Sequence, residues 1–257
     1  MNPGEYDALS RAEERHAWFI GLHDAIARVL RQPRFALPPA PRVLDAGCGT
    51  GAPLRMLDKL LKPSLLAGFD RSSTALAIAR TKVPHALLWL DDLCAPAAAC
   101  APLDLVMSMD VLCLTGMEKA RPGLQRLVAQ LRPGGLLMLN LPSFEWLRSE
   151  HDVATHIVER YVAADVRRLL QDLDLSVELL TYRVCLMFSA LVMRRLTRRG
   201  AGKHRPVDET RSDMHHIPGP VPNAIFLASL ELENRALASG FRWPWGSSVF
   251  AVGRKRR

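Results

Sequence analysis

Three glycines at alternate positions, Gly47, Gly49 and Gly51, close a short apolar run that carries one carboxylate, Asp45. Glycines so spaced let a backbone turn sharply and pass close to a ligand, because no Cβ intervenes. A helix-like segment, 52–61, follows, and a helix start offers unpaired N–H groups and a partial positive charge. The combination reads as strand, turn and helix around a nucleotide-like cofactor. Two further apolar runs end in acids: residues 65–70 finish at Asp70, and residues 86–90 run into Asp91 and Asp92. At the tip of the second strand of a doubly wound sheet, a carboxylate can accept both ribose hydroxyls. One at the end of the third strand can accept from an adenine amino group. Three successive strands thus each present a polar group to one part of an adenosine-bearing ligand.

Taken in order, these residues resemble the class I S-adenosylmethionine-dependent methyltransferases. The resemblance rests on Val-Leu-Asp-Ala-Gly-Cys-Gly-Thr-Gly at 43–51, Gly-Phe-Asp at 68–70, and the Asp91–Asp92 pair. It continues through Leu-Asp-Leu-Val at 103–106 and Leu-Arg-Pro-Gly-Gly at 131–135, and covers residues 1–183. It implies a Rossmann-like, doubly wound seven-stranded α/β sheet, with a helical lead-in and a helical cap inserted before the last strand. It also implies S-adenosyl-L-methionine as cofactor. The glycines would pass beside its methionine portion, Asp45 would anchor the loop or the amino group, and Asp70 would hold the ribose. Cys48, Arg71, Asp91, Asp92, Leu93 and Ser108 complete the implied cofactor set.

The glycine frame alone leaves a nicotinamide cofactor open. Gly47 and Gly49 could begin the dinucleotide fingerprint G-x-G-x-x-G, with Ala52 at its last position. The Asp-Ala-Gly-Cys-Gly core and the later Arg-Pro-Gly-Gly turn favour the methyltransferase reading. So does the lack of a recognisable Tyr/Lys or Cys/His pair for hydride chemistry. A non-catalytic binding protein on the same fold is the third reading.

The elements that must position these residues follow a βαβ rhythm. Strand and helix candidates alternate at 42–46, 53–61, 65–70, 73–81, 86–90, 104–108, 119–131 and 135–140, which argues a mainly parallel sheet covered on both faces. Right-handed crossovers then put the cofactor at the carboxyl ends of the strands. Apolar residues at three- to four-residue spacing predict a helical lead-in over 5–31. A helix over 151–172, a strand near 176–184 and a closing strand over 247–252 complete the pattern. With 257 residues and 49% hydrophobic content, the expectation is one domain. Its parts are a lid and linker (1–41), a cofactor-binding core (42–184), a helical cap (185–240) and a closing strand with a basic tail (241–257).

Composition bounds the partners. No stretch reaches the ~18–20 uncharged apolar residues of a membrane span, and the first fifteen residues lack a signal-peptide core. The five cysteines show no metal-ligand spacing, so no metal is expected and the thiols fit a cytoplasmic setting. The net charge of +8 gathers in 194–205 and 254–257, but no aromatics interleave with it, which argues against nucleic acid. Segment 184–199, apolar and then basic, reads as a cap helix over the substrate mouth. The alternative is a helix resting peripherally on an anionic membrane, which would hint at a lipid-like substrate. Oligomeric state is not legible.

Methyl transfer from a sulfonium is an in-line displacement, so alignment matters most. A base is needed only where the acceptor must lose a proton. The candidates for that chemistry are His151, Asp152 and His156: on a helix, Asp152 and His156 would be i,i+4 neighbours, with the acid orienting the imidazole. The segment Pro142, Leu147, Ser149, His151, Asp152, His156, Arg160, Tyr161 resembles one branch of the family. So does the lead-in, with Tyr6, Glu13, His16, Trp18 and Phe19. In that branch's terms Tyr6, His16, Trp18, Phe19, Cys113 and Tyr161 are the substrate-side candidates. Cys113-Leu114 stands where relatives usually show Glu-His, so that pair's role does not carry over. The expected acceptor is a small molecule, a secondary or lipid-like metabolite.

Overall fold

A computed structural model describes residues 3–97, 102–149, 152–153, 155–188 and 219–256. At its centre is a seven-stranded sheet of order β3-β2-β1-β4-β5-β7-β6. The strands are β1 Arg42–Ala46, β2 Leu65–Asp70, β3 Leu87–Leu90, β4 Leu103–Met109, β5 Leu131–Pro142, β6 Leu175–Arg183 and β7 Ser248–Lys255. β7 runs antiparallel to both neighbours, and the other pairings are parallel. Strand order reverses between β1 and β4, the switch point where ligands bind at strand carboxyl ends. The expected strands all form.

The central strands are buried on both faces, so they read as near-continuous apolar runs. One face packs Leu44, Phe69, Val106 and Leu137 against α6 (Met117–Ala129) and α7 (Ala163–Asp172). The other packs Val43, Leu105, Met107, Met138 and Phe250 against α2 (Ala17–Leu30) and α3 (Ala52–Leu61). Because side chains alternate along a strand, Asp45, Asn140 and Arg183 belong to this second face, near its carboxyl edge.

The lead-in is two helices, not one. α1 (Pro3–Arg15) ends at His16, whose extended backbone and ring Nδ1, accepting from Trp18 N at 3.1 Å, start α2. A second helix packs on α2. In α8 (Pro220–Ala238), Asn223 accepts from Ala17 N at 2.9 Å and Asn234 donates to Gly21 O at 2.8 Å. Gly21 is required there, since a Cβ would stand 2.6 Å from Leu230.

Of the helix expected over 151–172, the described residues show helix at 152–153, a turn and an irregular stretch, and then the helix from Ala163. Upstream, local polar bonds outcompete helix formation. Asp152 takes Ser149 N and the Arg160 guanidinium, and Val158 N donates to Cys113 O at 2.8 Å. The cap segment 184–199 lies outside the described residues beyond Phe188, as does 200–218. Among the described residues, no helix is long and apolar enough to cross a membrane.

Candidate functional site

The glycine loop sits at the carboxyl end of β1. Gly47, Gly49 and Gly51 all have positive φ, at 86°, 53° and 85°. A Cβ on Gly47 would lie 2.3 Å from Val111, and one on Gly51 would lie 2.9 Å from Ala79, so both positions exclude side chains twice over. Gly49 is different: nothing lies within 4 Å of its Cβ direction, so that turn of the loop faces open space. Gly47 N and Cys48 N donate to Phe69 O, tying the loop to β2.

Asp70 holds the loop as well. One carboxylate oxygen accepts from Gly49 N and the other from Ser72 N, each at 2.9 Å. Burial raises its pKa against the pull of these bonds. Each oxygen keeps a lone pair for a further donor. Arg71 beside it is exposed.

Asp45 is the anomaly of this half. It is buried, and neither carboxylate oxygen has a hydrogen-bond partner. Burial, then the charges of Asp70 and Glu13, push its pKa up to about 8. Buried carboxylates are almost always satisfied. This one fits a cationic donor such as the ammonium of an amino acid moiety.

The third strand's acids are partly committed to their own loop. Burial works against ionisation of Asp91, but Ala97 N, Trp89 Nε1 and Asp92 N all donate to it and hold its pKa low. Asp92 takes Cys94 N on one oxygen only. Leu93 is buried, and its carbonyl lies where a Cβ on Gly123 would fall, so α6 clamps this loop. Ser108 is buried and donates to Ala46 O, bridging β4 to β1. Cys48 is buried against Gly68, and burial raises its thiol far above the ordinary range.

A clamp that the sequence reading did not assign closes the N-terminal side. Glu13 is buried and takes Lys82 Nζ at 2.8 Å and the Thr50 hydroxyl, while Lys82 also donates to Thr50 at 3.1 Å. One acid thus docks α1 on both the glycine loop and α4 (Ser73–Lys82).

The substrate-side candidates scatter. Phe19 is buried, and Trp18 packs edge-on to it at 4.9 Å. Burial lowers the pKa of His16, which serves as the α2 cap. Tyr6 is half-buried on α1. Tyr161 is a core residue, contrary to its assigned role: its ring is buried and its hydroxyl donates to Glu159 at 2.9 Å. Cys113 is buried, its thiol donates to Asp110 O, and burial raises its pKa well above the usual value.

The catalytic expectation needs correction too. Asp152 is fully buried and receives Arg160 Nη2 at 2.6 Å, Arg160 Nε at 3.0 Å and Ser149 N at 2.6 Å. It pins the 149–160 loop and does not orient His156, which is exposed in a turn at φ 58°. His151 lies outside the described residues.

Instead, a polar chain of Asp110, Asn140 and Arg183 runs along the carboxyl ends of β4, β5 and β6. Asp110, at the end of β4 with φ 57°, accepts from Asn140 Nδ2 at 3.1 and 2.9 Å. Asn140 Oδ1 in turn faces Arg183 Nη1 at 3.4 Å. Burial pushes Asp110 up to about 7, with Asn140, Arg183 and Arg160 pulling the other way. The clue in sequence was slight: acids or amides ending β4 and β5, and a charge ending β6.

Residues 43–135 match the family described as "Methyltransferase domain". Trans-aconitate 2-methyltransferase of Variovorax paradoxus is 33% identical over 133 residues, 51% of this chain and 48% of that protein. Carboxy-S-adenosyl-L-methionine synthase of Trichodesmium erythraeum is 25% identical over 162 residues, 59% of this chain and 64% of that one. The chain spans about half the length of the first curated relatives it matches. Among solved structures, a chain of the complex between the Haloferax volcanii Trm112 methyltransferase activator and a methyltransferase superposes with TM-score 0.62 at 18% identity. That match covers 99% of this chain and 95% of the other. The plantazolicin methyltransferase BpumL, solved with SAH, superposes with TM-score 0.58 at 13% identity, over 100% and 91% of the two chains. The sheet order and the glycine loop at its switch point define the Rossmann-like class I methyltransferase fold. Residues 43–135 are thus similar in sequence to the methyltransferase domain, and the chain around them takes the same fold.

Proposed function

We propose that this chain transfers a methyl group from S-adenosylmethionine to a small-molecule acceptor. The observation that carries the reading is Asp45: a buried, unpartnered carboxylate directly before three positive-φ glycines. Asp45 would take the cofactor's ammonium, Gly49 the space beside its methionine portion, Asp70 the ribose hydroxyls, and Asp92 with Leu93 the adenine edge. When bound, the cofactor supplies a methyl carbon on a positively charged sulfur, a leaving group that needs no further activation.

The protein's part is therefore placement and exclusion of water. The acceptor side is the carboxyl ends of β4, β5 and β6, under α2 and α8, which act as a lid. If the acceptor must lose a proton, Asp110 is the carboxyl placed to accept it, with a pKa near the working range. A secondary or lipid-like metabolite remains the proposed acceptor class, and peripheral membrane contact through 184–199 is the corollary of a lipid-like one.

Calorimetric titration with S-adenosylhomocysteine, with NADH in parallel, tests the cofactor. Saturable one-site binding of S-adenosylhomocysteine alone is expected. Binding of NADH alone would overturn the reading.

A further inference from the structure

Among the described residues two arginine side chains are no more than 9% exposed, and their guanidinium forks have opposite fates. Arg160 presents Nε and Nη2 to one carboxylate oxygen of Asp152, at 3.0 and 2.6 Å. Arg183, 2% exposed, ends β6 beneath α2 and α8. Its Nη1 meets Asn140, while its Nε and Nη2 have no hydrogen-bond partner. Those two N–H groups form one edge of the planar group, the edge that grips a carboxylate with two parallel bonds.

The neighbours do not fill that edge. Glu233 on α8 is close enough to favour the charged guanidinium, but makes no ion pair with it among the described residues. One Glu233 oxygen takes Leu186 N at 2.8 Å, and the other is buried with no hydrogen-bond partner, so it does not reach the Arg183 edge either. Asp110 is turned away, both its oxygens held by Asn140. Burial lowers the Arg183 pKa to about 10, so it stays cationic at neutral pH. Burial first, then Arg183, Arg55 and Lys82, drive the neighbouring His23 down to about 4, while the charges of Glu233, Asp110 and Asp24 favour the Arg183 cation without filling its free edge. A buried cation missing two hydrogen bonds is costly unless a ligand supplies them.

We infer that Arg183 is the anchor for a carboxylate on the methyl acceptor, gripped by its free Nε–Nη2 edge at the carboxyl end of β6. The inference rests on the methyltransferase reading above, and it narrows the acceptor to an organic acid. The free edge is a specificity device. A site built to hydrogen-bond one group rejects the analogue that lacks it, because its own buried groups are then left unpaired.

The test uses the full chain saturated with S-adenosylhomocysteine. Butyrate, decanoate, succinate and tricarballylate are titrated beside their amides by calorimetry, then repeated with Arg183→Gln and Arg183→Lys. At least one acid should bind, with its amide at least ~tenfold weaker, the size of a lost charged hydrogen-bond pair. Arg183→Gln should lose that acid by the same factor while S-adenosylhomocysteine affinity holds; Arg183→Lys should fall between. Equal binding of acids and amides, or no binding by any acid, overturns the proposal. So does a loss of S-adenosylhomocysteine affinity in Arg183→Gln, which would assign the fork to the cofactor's own carboxylate. Should Arg183→Gln fail to fold, judged by its melting curve, the acid–amide contrast and Arg183→Lys decide. The acid series is also run without S-adenosylhomocysteine. An Arg183-dependent acid site in a protein that ignores the cofactor would sink the methyltransferase reading and leave an acid-binding site standing.

Discussion

The two ends of the sheet leave buried charge exposed in opposite senses. On the β1–β3 side the unpartnered group is an anion, Asp45, while its neighbour Asp70 is held by two backbone N–H groups. On the β4–β6 side it is chiefly a cation, Arg183, with two unpartnered N–H groups beside a Glu233 that has one oxygen unpartnered, while Asp110 is held by Asn140. In each half one ionisable side chain is fixed by the protein and the next is left for something else. An ammonium would satisfy the first and a carboxylate the second. Burying an ion without a partner destabilises a fold by several kcal/mol in general, so two such groups of opposite sign along the carboxyl edge of one sheet are better explained by ligands than by packing.

If a filled partner means structure and an empty one means binding, the largest stability loss should come from a filled pair. Asp152→Ala strands the Arg160 guanidinium, which also holds Ser143 O at 2.8 Å. Breaking such a buried pair typically costs about 3–5 kcal/mol, to be read from urea or thermal unfolding. A loss below about 1 kcal/mol would place the pair among weak surface bridges and blur the contrast.

Asp45→Ala should do the reverse. Removing an unsatisfied buried carboxyl should stabilise the ligand-free protein by about 1–3 kcal/mol, and S-adenosylhomocysteine affinity should drop at least ~tenfold. The pH dependence carries the same signature. The folded pKa, about 8, lies above the model value of 3.8. Between those values the folded state binds more protons than the unfolded one, so Asp45 makes stability fall as pH rises from 4 to 8. Its contribution is fully present below that window and gone above it. S-adenosylhomocysteine should flatten the slope and release protons at pH 7, measurable in buffers of different ionisation heat. A slope unchanged by Asp45→Ala would show the carboxyl to be satisfied in solution.

Asp70→Ala should weaken S-adenosylhomocysteine by at least ~tenfold, through lost hydrogen bonds to a charged acceptor. It also frees Gly49 N and Ser72 N, so the loop should loosen, visible as faster amide exchange at 47–51. Intact affinity would put the ribose elsewhere.

The geometry of the β1–β3 half was legible in the sequence because its requirements are local. A positive φ at Gly47 and Gly51 demands glycine in whatever context, and each acid ends an apolar run that declares itself a strand. The acceptor half has no such spacing. Asp110, Asn140, Arg183 and Glu233 come from four elements as distant as 110 and 233 in the chain, and only the sheet order and the packing of α8 bring them together. The Glu13 clamp was missed for the same reason, since its partners are Thr50 and Lys82. Where local spacing did suggest chemistry, at Asp152 and His156, a tertiary partner overrode it: Arg160 took the acid, and the helix at 152–153 gives way to a turn before it reaches His156.

That override yields the smallest expected effect. His156 is exposed, sits at φ 58°, and lacks the orienting carboxylate that a general base requires. His156→Ala should change stability by no more than about 0.5 kcal/mol, as for surface residues without buried partners. Turnover on the true acceptor should stay within about twofold, because a base must reach the proton it removes. Asp110→Asn offers the contrast. It keeps shape and hydrogen bonding near Asn140 but cannot take a proton, so an O- or N-methylation needing a base should slow ~100-fold or more with S-adenosylhomocysteine affinity unchanged. A large loss in His156→Ala and none in Asp110→Asn would move the proton acceptor back to the 151–156 loop, and the buried chain ending at Arg183 would then serve binding alone.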